Sequence, residues 1–215
     1  MLSYDLYWSF RSPYSYMVVP RLLSLGAEFD VTCNVRPVYP LAVRTPEFFD
    51  TRDPLWFSYF VADIHREAAF LGLPFRWPRP DPVVRGPDGR YPSEQPYIHR
   101  LTHLGVAAAE RGRGLEFLRE VSHAIWSGEV DGWHEVDHLA RATLRAGLDW
   151  AELSGAVDSA PDRFAAIVEE NQIAQRAGGH YGVPTMVFGG EPFFGQDRFD
   201  QMRWRMEAKG MKRRT

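Results

Sequence analysis

One cysteine, Cys33, occurs in 215 residues. That scarcity excludes an intramolecular disulfide, a Cys-x-x-Cys redox pair and a cysteine-rich metal site. No apolar run approaches the roughly 18–20 residues that cross a bilayer, so no membrane span is expected. The chain runs straight into Tyr4-Asp5-Leu6-Tyr7-Trp8, without the basic and apolar stretches of a secretory signal. A soluble, cytoplasmic protein is the expectation. Excess positive charge is lacking too. Formal net charge is −3, whereas a nucleic-acid binder shows a basic face or stripe. The one basic run, Lys209 to Arg214, reads as a solvated tail. Core material is plentiful: the chain is 45% hydrophobic and 14% aromatic, far from the composition of a disordered segment. The length fits one domain, or one domain carrying a large insertion.

The opening reads β-α-β. Residues 4–10 alternate as a strand does. Arg11-Ser12-Pro13 follows, and proline suits a first helical position, where its missing N–H is no loss. Apolar residues at Tyr16, Val19, Leu22 and Leu23 predict a helix over 14–26, stopped by Gly26. Phe29 to Val38 reads as a second strand, parallel to the first through a right-handed crossover. Residues 45–53 and 74–97, rich in proline and polar residues, read as loops. Helical spacing marks 55–72, 98–111, 115–127, 135–147 and 161–177, with Ser159 as a cap for the last. The end returns to strands over 184–188 and 191–194, joined by Gly189-Gly190, a hairpin signal. A final helix is entered at Gly195-Gln196-Asp197. The order β-α-β, helices, β-β-α predicts an α/β fold with a thioredoxin-like mixed sheet. Residues 1–44 and 178–215 would form the sheet domain and 45–177 a compact helical insertion.

Three motifs carry chemistry. Ser12-Pro13-Tyr14-Ser15 sits where unpaired N–H groups and the helix dipole favour negative charge. Redox proteins of this layout place Cys-Pro-x-Cys there, because a helix N-terminus lowers a thiol pKa. Ser12 cannot exchange disulfides, but its hydroxyl can donate to a thiolate brought by a ligand. It also fits an ordinary N-cap. Gly182-Val183-Pro184-Thr185 opens a strand with proline. With a cis Val183–Pro184 bond, the Val183 backbone can pair with an extended peptide ligand; with a trans bond, Pro184 is a plain edge-strand proline. Phe194-Gly195-Gln196-Asp197 precedes the last helix. There Asp197 can accept from an ammonium while the helix N-terminus takes a carboxylate, or Asp197 simply caps the helix.

At Asp5–Tyr16, Tyr59–Pro78 and Gly182–Arg198 the chain resembles the 2-hydroxychromene-2-carboxylate isomerases and kappa-class glutathione transferases, within the DsbA-like thioredoxin family. The resemblance implies a glutathione-dependent enzyme acting on a small molecule. Glutathione is the implied cofactor, and its thiolate adds to a conjugated aromatic enone acid, permits rotation and is eliminated. It makes Ser12 the catalytic residue that positions the thiol, Val183 the partner of the glutathione peptide beside a cis Pro184, and Phe194, Gly195, Gln196 and Asp197 the γ-glutamyl end. It also allows a homodimer. The chain departs from the family after the second strand, where Arg44 stands near an expected lysine, and at Tyr91-Pro92-Ser93-Glu94-Gln95, which lacks an expected asparagine. Arg11 and Arg44 are candidates for a substrate carboxylate.

Rival readings have their own residues. His134-Glu135-Val136-Asp137-His138 matches His-Glu-x-x-His, the helix-borne zinc motif of hydrolases, and His99 and His103 repeat its spacing. No metal is expected, because Gly132 and Trp133 place His134 at a ragged helix start. A thioredoxin-like module that binds a thiol or peptide without turnover would keep the double serine. A disulfide oxidoreductase would have to use Cys33, which reads as a buried apolar residue of the second strand.

Overall fold

The structure, a computed structural model, describes residues 1–49 and 52–214, apart from the side chain of Val136. The strands are β1 (Leu2–Trp8), β2 (Val31–Pro37), β3 (Thr185–Phe188) and β4 (Glu191–Phe194). The helices are α1 (Pro13–Glu28), α2 (Leu41–Arg44), α3 (Pro54–Phe70), α4 (Ile98–Glu110), α5 (Gly114–Trp126), α6 (Val136–Arg145), α7 (Trp150–Ser159), α8 (Pro161–Ala177) and α9 (Phe199–Ala208). Short 3-10 turns cover Pro46–Phe49 and Gln196–Arg198. The sheet order is β2-β1-β3-β4. β1 and β2 are parallel, and β3 is antiparallel to both β1 and β4. This is the thioredoxin-like mixed sheet that the element order predicts.

Local chemistry explains most boundaries and the departures from expectation. Gly26 does not stop α1, because its φ is not left-handed and open space surrounds it. The helix runs on to Glu28 and ends at extended Phe29, whose N–H bonds the Leu25 carbonyl. Ser159 closes α7, a helix the apolar spacing did not reveal, and Ala160 stands before α8. The stretch 45–53 holds a 3-10 turn, with 50–51 outside the described residues. The basic end is no free tail. Asp30 N–H bonds the Lys212 carbonyl at 2.8 Å, Arg214 N–H bonds the Glu28 carbonyl at 2.9 Å, and Arg213 lies over the Phe29 ring. Gly189 and Gly190 both take positive φ, as a two-residue hairpin requires.

One hydrophobic cluster runs through sheet and helices. Trp8 and Phe10 are fully buried, and Phe10 meets Phe117 of α5 edge to face at 6.2 Å. Burying a side chain of this size stabilises by about 1.5–3 kcal/mol. Trp126 donates to the Phe10 carbonyl at 2.9 Å, which ties α5 to the chain just before α1. Gly105 brings α4 against the same ring, because a Cβ there would lie 3.0 Å from it. The packing thus fixes the loop that leads into Ser12. No described helix is long and apolar enough to cross a membrane.

Candidate active site

Ser12 caps α1. Its Oγ accepts from Ser15 N–H at 3.2 Å and donates to the Val183 carbonyl at 3.3 Å. One hydroxyl therefore joins the two ends of the chain. The Val183–Pro184 bond is cis. The Val183 carbonyl is taken by Ser12, whereas the Val183 N–H makes no hydrogen bond among the described residues. Ser15 differs from Ser12: it is fully buried and its hydroxyl lacks a partner. Ser12 and Val183 line a cavity of about 440 Å³ whose other walls are aromatic, among them Trp56, Phe60, Trp77 and Tyr91. Tyr14 also lines it, its hydroxyl held by Asp63 at 2.5 Å. Burial first, and then that carboxylate, push the Tyr14 pKa well up, so the phenol stays neutral.

The γ-glutamyl candidates divide. Phe194 lines the cavity and stacks on His180 with centroids 3.9 Å apart. Gly195, at φ 102°, donates to the Pro184 carbonyl at 2.9 Å and so ties the turn to the proline. Gln196 and Asp197 do not line the cavity. Gln196 is buried, with its amide donating to Glu67 at 2.6 Å and its backbone carbonyl accepting from Arg21 at 3.0 Å. Asp197 is exposed beside Arg198, and the N-cap position of α9 is Arg198, which makes no side-chain cap bond.

The two arginine candidates divide as well. Arg11 lines the cavity, but its Nε and Nη2 are already taken by Asp81, at 3.1 and 3.0 Å. Arg44 lies outside the lining and holds Gln175 and the Tyr181 carbonyl, the latter at 2.9 Å. Burial, then repulsion from Arg176, lower the Arg44 pKa to about 10. Its link to the cavity is the loop it steadies. Sequence reasoning missed Arg52 and Arg85. Arg52 lies 3.7 Å over the Phe48 ring, and Arg85 lies over Tyr91 and donates to its hydroxyl at 2.7 Å. Among the described residues the cavity wall carries Arg11, Arg52 and Arg85 and no carboxylate. His180, also missed, accepts from Gly182 N–H at 2.9 Å through Nδ1. A histidine two residues before a Gly-Val-Pro turn was the available signal.

The rival sites have a different look. His134 precedes α6 in a turn, so it shares no helix face with His138; it packs on Tyr97, and His138 Nδ1 meets Arg141. His103 meets the Tyr39 hydroxyl at 2.7 Å. Among the described residues no group of three His, Cys, Asp or Glu side chains is placed to hold a metal. Cys33 is half-buried, not fully buried as the sequence suggested, and burial pushes its thiol up to about 12, which keeps it protonated near neutral pH.

The DSBA-like thioredoxin domain family matches this chain over residues 4–207. A 2-hydroxychromene-2-carboxylate isomerase of Pseudomonas putida is 22% identical over 205 residues, covering 90% of this chain and 89% of that protein. A solved 2-hydroxychromene-2-carboxylate isomerase superposes with a TM-score of 0.71 at 20% identity, over 96% of this chain and 95% of that one. The cytosolic disulfide reductase DsbM of Pseudomonas aeruginosa, solved with GSH, superposes with a TM-score of 0.61 at 16% identity, over 97% and 98%. At such identities the superpositions show a shared fold.

Proposed function

The chain belongs to the DsbA-like thioredoxin domain family, and on that premise we propose that it is a glutathione-dependent isomerase of conjugated aromatic enone acids. The carrying observation is the Ser12 hydroxyl, which sits at the N-terminus of a 16-residue helix, 3.3 Å from the Val183 carbonyl, on the wall of an aromatic cavity. Disulfide exchange, the activity named for DsbM, needs a thiolate that this chain lacks: serines hold both motif positions and the Cys33 thiol stays protonated.

The residues present suit glutathione at its middle and thiol end. The unpaired Val183 N–H offers a peptide partner. Ser12 can turn its hydroxyl from the Val183 carbonyl to a thiolate, and the dipole of α1 favours charge there. When bound, glutathione supplies a sulfur nucleophile that adds reversibly to a conjugated double bond. Each pKa unit by which the site lowers that thiol corresponds to about 1.4 kcal/mol. Aromatic walls orient a planar substrate, and Arg52 and Arg85 are available to its acid group.

Calorimetric titration with glutathione and turnover of an aromatic enone acid test the reading. Binding at millimolar concentration or tighter, with glutathione recovered unchanged and turnover lost in Ser12→Ala, supports an isomerase. A stable adduct as product means a kappa-like transferase. Binding without turnover over a broad set of electrophiles means a thiol-binding module.

A further inference from the structure

His180 has a fixed tautomer and a fixed place. Its Nδ1 accepts from Gly182 N–H at 2.9 Å. An imidazole nitrogen that accepts a backbone N–H is unprotonated, so the neutral ring carries its proton on Nε2. Protonating Nδ1 would set one donor against another. Burial also disfavours the cation and holds the pKa below its usual 6.5. The ring is stacked on both sides' neighbours, Tyr181 at 4.9 Å and Phe194 at 3.9 Å between centroids. It lines the same cavity as Ser12 and Val183, and Nε2 has no hydrogen-bond partner among the described residues. Several other polar groups of the wall are engaged: the Tyr14 hydroxyl donates to Asp63, the Tyr91 hydroxyl accepts from Arg85, and Arg11 pairs with Asp81.

We propose that His180, through Nε2–H, is a catalytic hydrogen-bond donor to the substrate oxygen on which negative charge develops. This rests on the isomerase reading above. When a nucleophile's electron pair forms a bond to the far carbon of an enone, the double-bond pair shifts inward and the carbonyl π pair moves onto oxygen. Elimination reverses each movement, and no proton is consumed. A donor already oriented in an aromatic-walled pocket stabilises that oxygen without reorganising. The imidazole keeps its proton throughout, so it acts as a neutral donor and not as a base. The side chain is not explained by packing alone, since Tyr181 and Phe194 would accept any flat ring between them.

Three proteins decide it: wild type, His180→Phe, which keeps a ring, and His180→Gln, which keeps an N–H near Nε2. The first readout is turnover. At saturating glutathione, Phe is expected to lower kcat by about a hundred-fold or more, and Gln to recover at least about ten-fold of that loss. The second is binding of 4-nitrophenolate, a stable mimic of charge on one oxygen, expected to weaken about ten-fold in Phe and much less in Gln. Phe turnover or phenolate affinity equal to wild type overturns the proposal, as do equal losses in Phe and Gln. A wild type without glutathione-dependent turnover defeats the isomerase reading, and the phenolate series still decides the donor.

Discussion

The cavity has two unlike walls. One is made by the start of α1 and the 180–184 turn, where Ser12 bonds Val183, His180 bonds Gly182, and Gly182 approaches Phe194 so closely that a Cβ would lie 2.4 Å from its ring. The other is made by the first half of α3 and two loops, where arginines rest on rings. There α3 buries only Ile64 and Ala68, while Leu55 is 75% and Tyr59 64% exposed. A wall held by backbone hydrogen bonds keeps its groups within fractions of an ångström, as bond-making chemistry needs. A wall of stacked side chains adapts to the ligand's shape. On the proposed reading, the contrast would give chemistry to the first wall and substrate choice to the second.

The largest effect belongs to Ser12→Ala. Turnover should fall about a hundred- to a thousand-fold, while stability falls only about 1 kcal/mol, as for a lost N-cap. Rate measurements paired with urea unfolding read both. Comparable losses in rate and fold would reduce Ser12 to a cap and erase the contrast. Next is Gly182→Ala on the same wall. The added methyl collides with the Phe194 ring and lies 3.0 Å from His180, an overpacking that should cost about 1–3 kcal/mol. Glutathione affinity should fall with it, and an unchanged melting curve would show that this wall yields after all. Arg85→Gln sharpens the other side. KM for an enone acid should rise about ten-fold, as loss of a charge-assisted hydrogen bond predicts, while KM for the neutral ester stays put. Equal changes for acid and ester would move the acid group elsewhere.

How far the sequence foretold these walls follows from range. The rigid wall was legible in part: Ser12-Pro13 and Val183-Pro184 act through backbone chemistry that each motif carries within itself, but the cis bond was left open and His180 was missed. The parallel β1–β2 pair and the β3–β4 hairpin were legible for the same reason, from the crossover and the Gly189-Gly190 turn, whereas the antiparallel pairing of β1 with β3 that joins them was not called. That Gln196 is held away from the cavity lining was not legible, because its partners, Glu67 and Arg21, lie 129 and 175 residues away. Arg44 and Arg11 differ in role because one reaches a loop carbonyl and the other Asp81, pairings no local pattern encodes. Arg52 and Arg85 were invisible, since a stacked arginine looks in sequence like any surface arginine. The missed α7 has too mixed a face for its apolar period to stand out.

The smallest effect lies outside the cavity lining, at His103. Burial, then the neighbouring His99, lower its pKa from 6.5 in the folded chain. Below pH 6.5 the unfolded chain takes up a proton that the folded chain refuses, so stability falls as pH drops through that window and is unaffected above it. Unfolding measured across it should show a shallower acid loss in His103→Gln; an unchanged slope would place the titrating group elsewhere.

The most direct measurement is the pH titration of bound glutathione by ultraviolet thiolate absorbance, in wild type and Ser12→Ala. A thiol pKa at least about one unit below the ordinary value near 8.5 in wild type, restored toward it in Ser12→Ala, is the predicted result. A bound thiol that ionises as it does in free solution, or identically in the two proteins, would contradict the account.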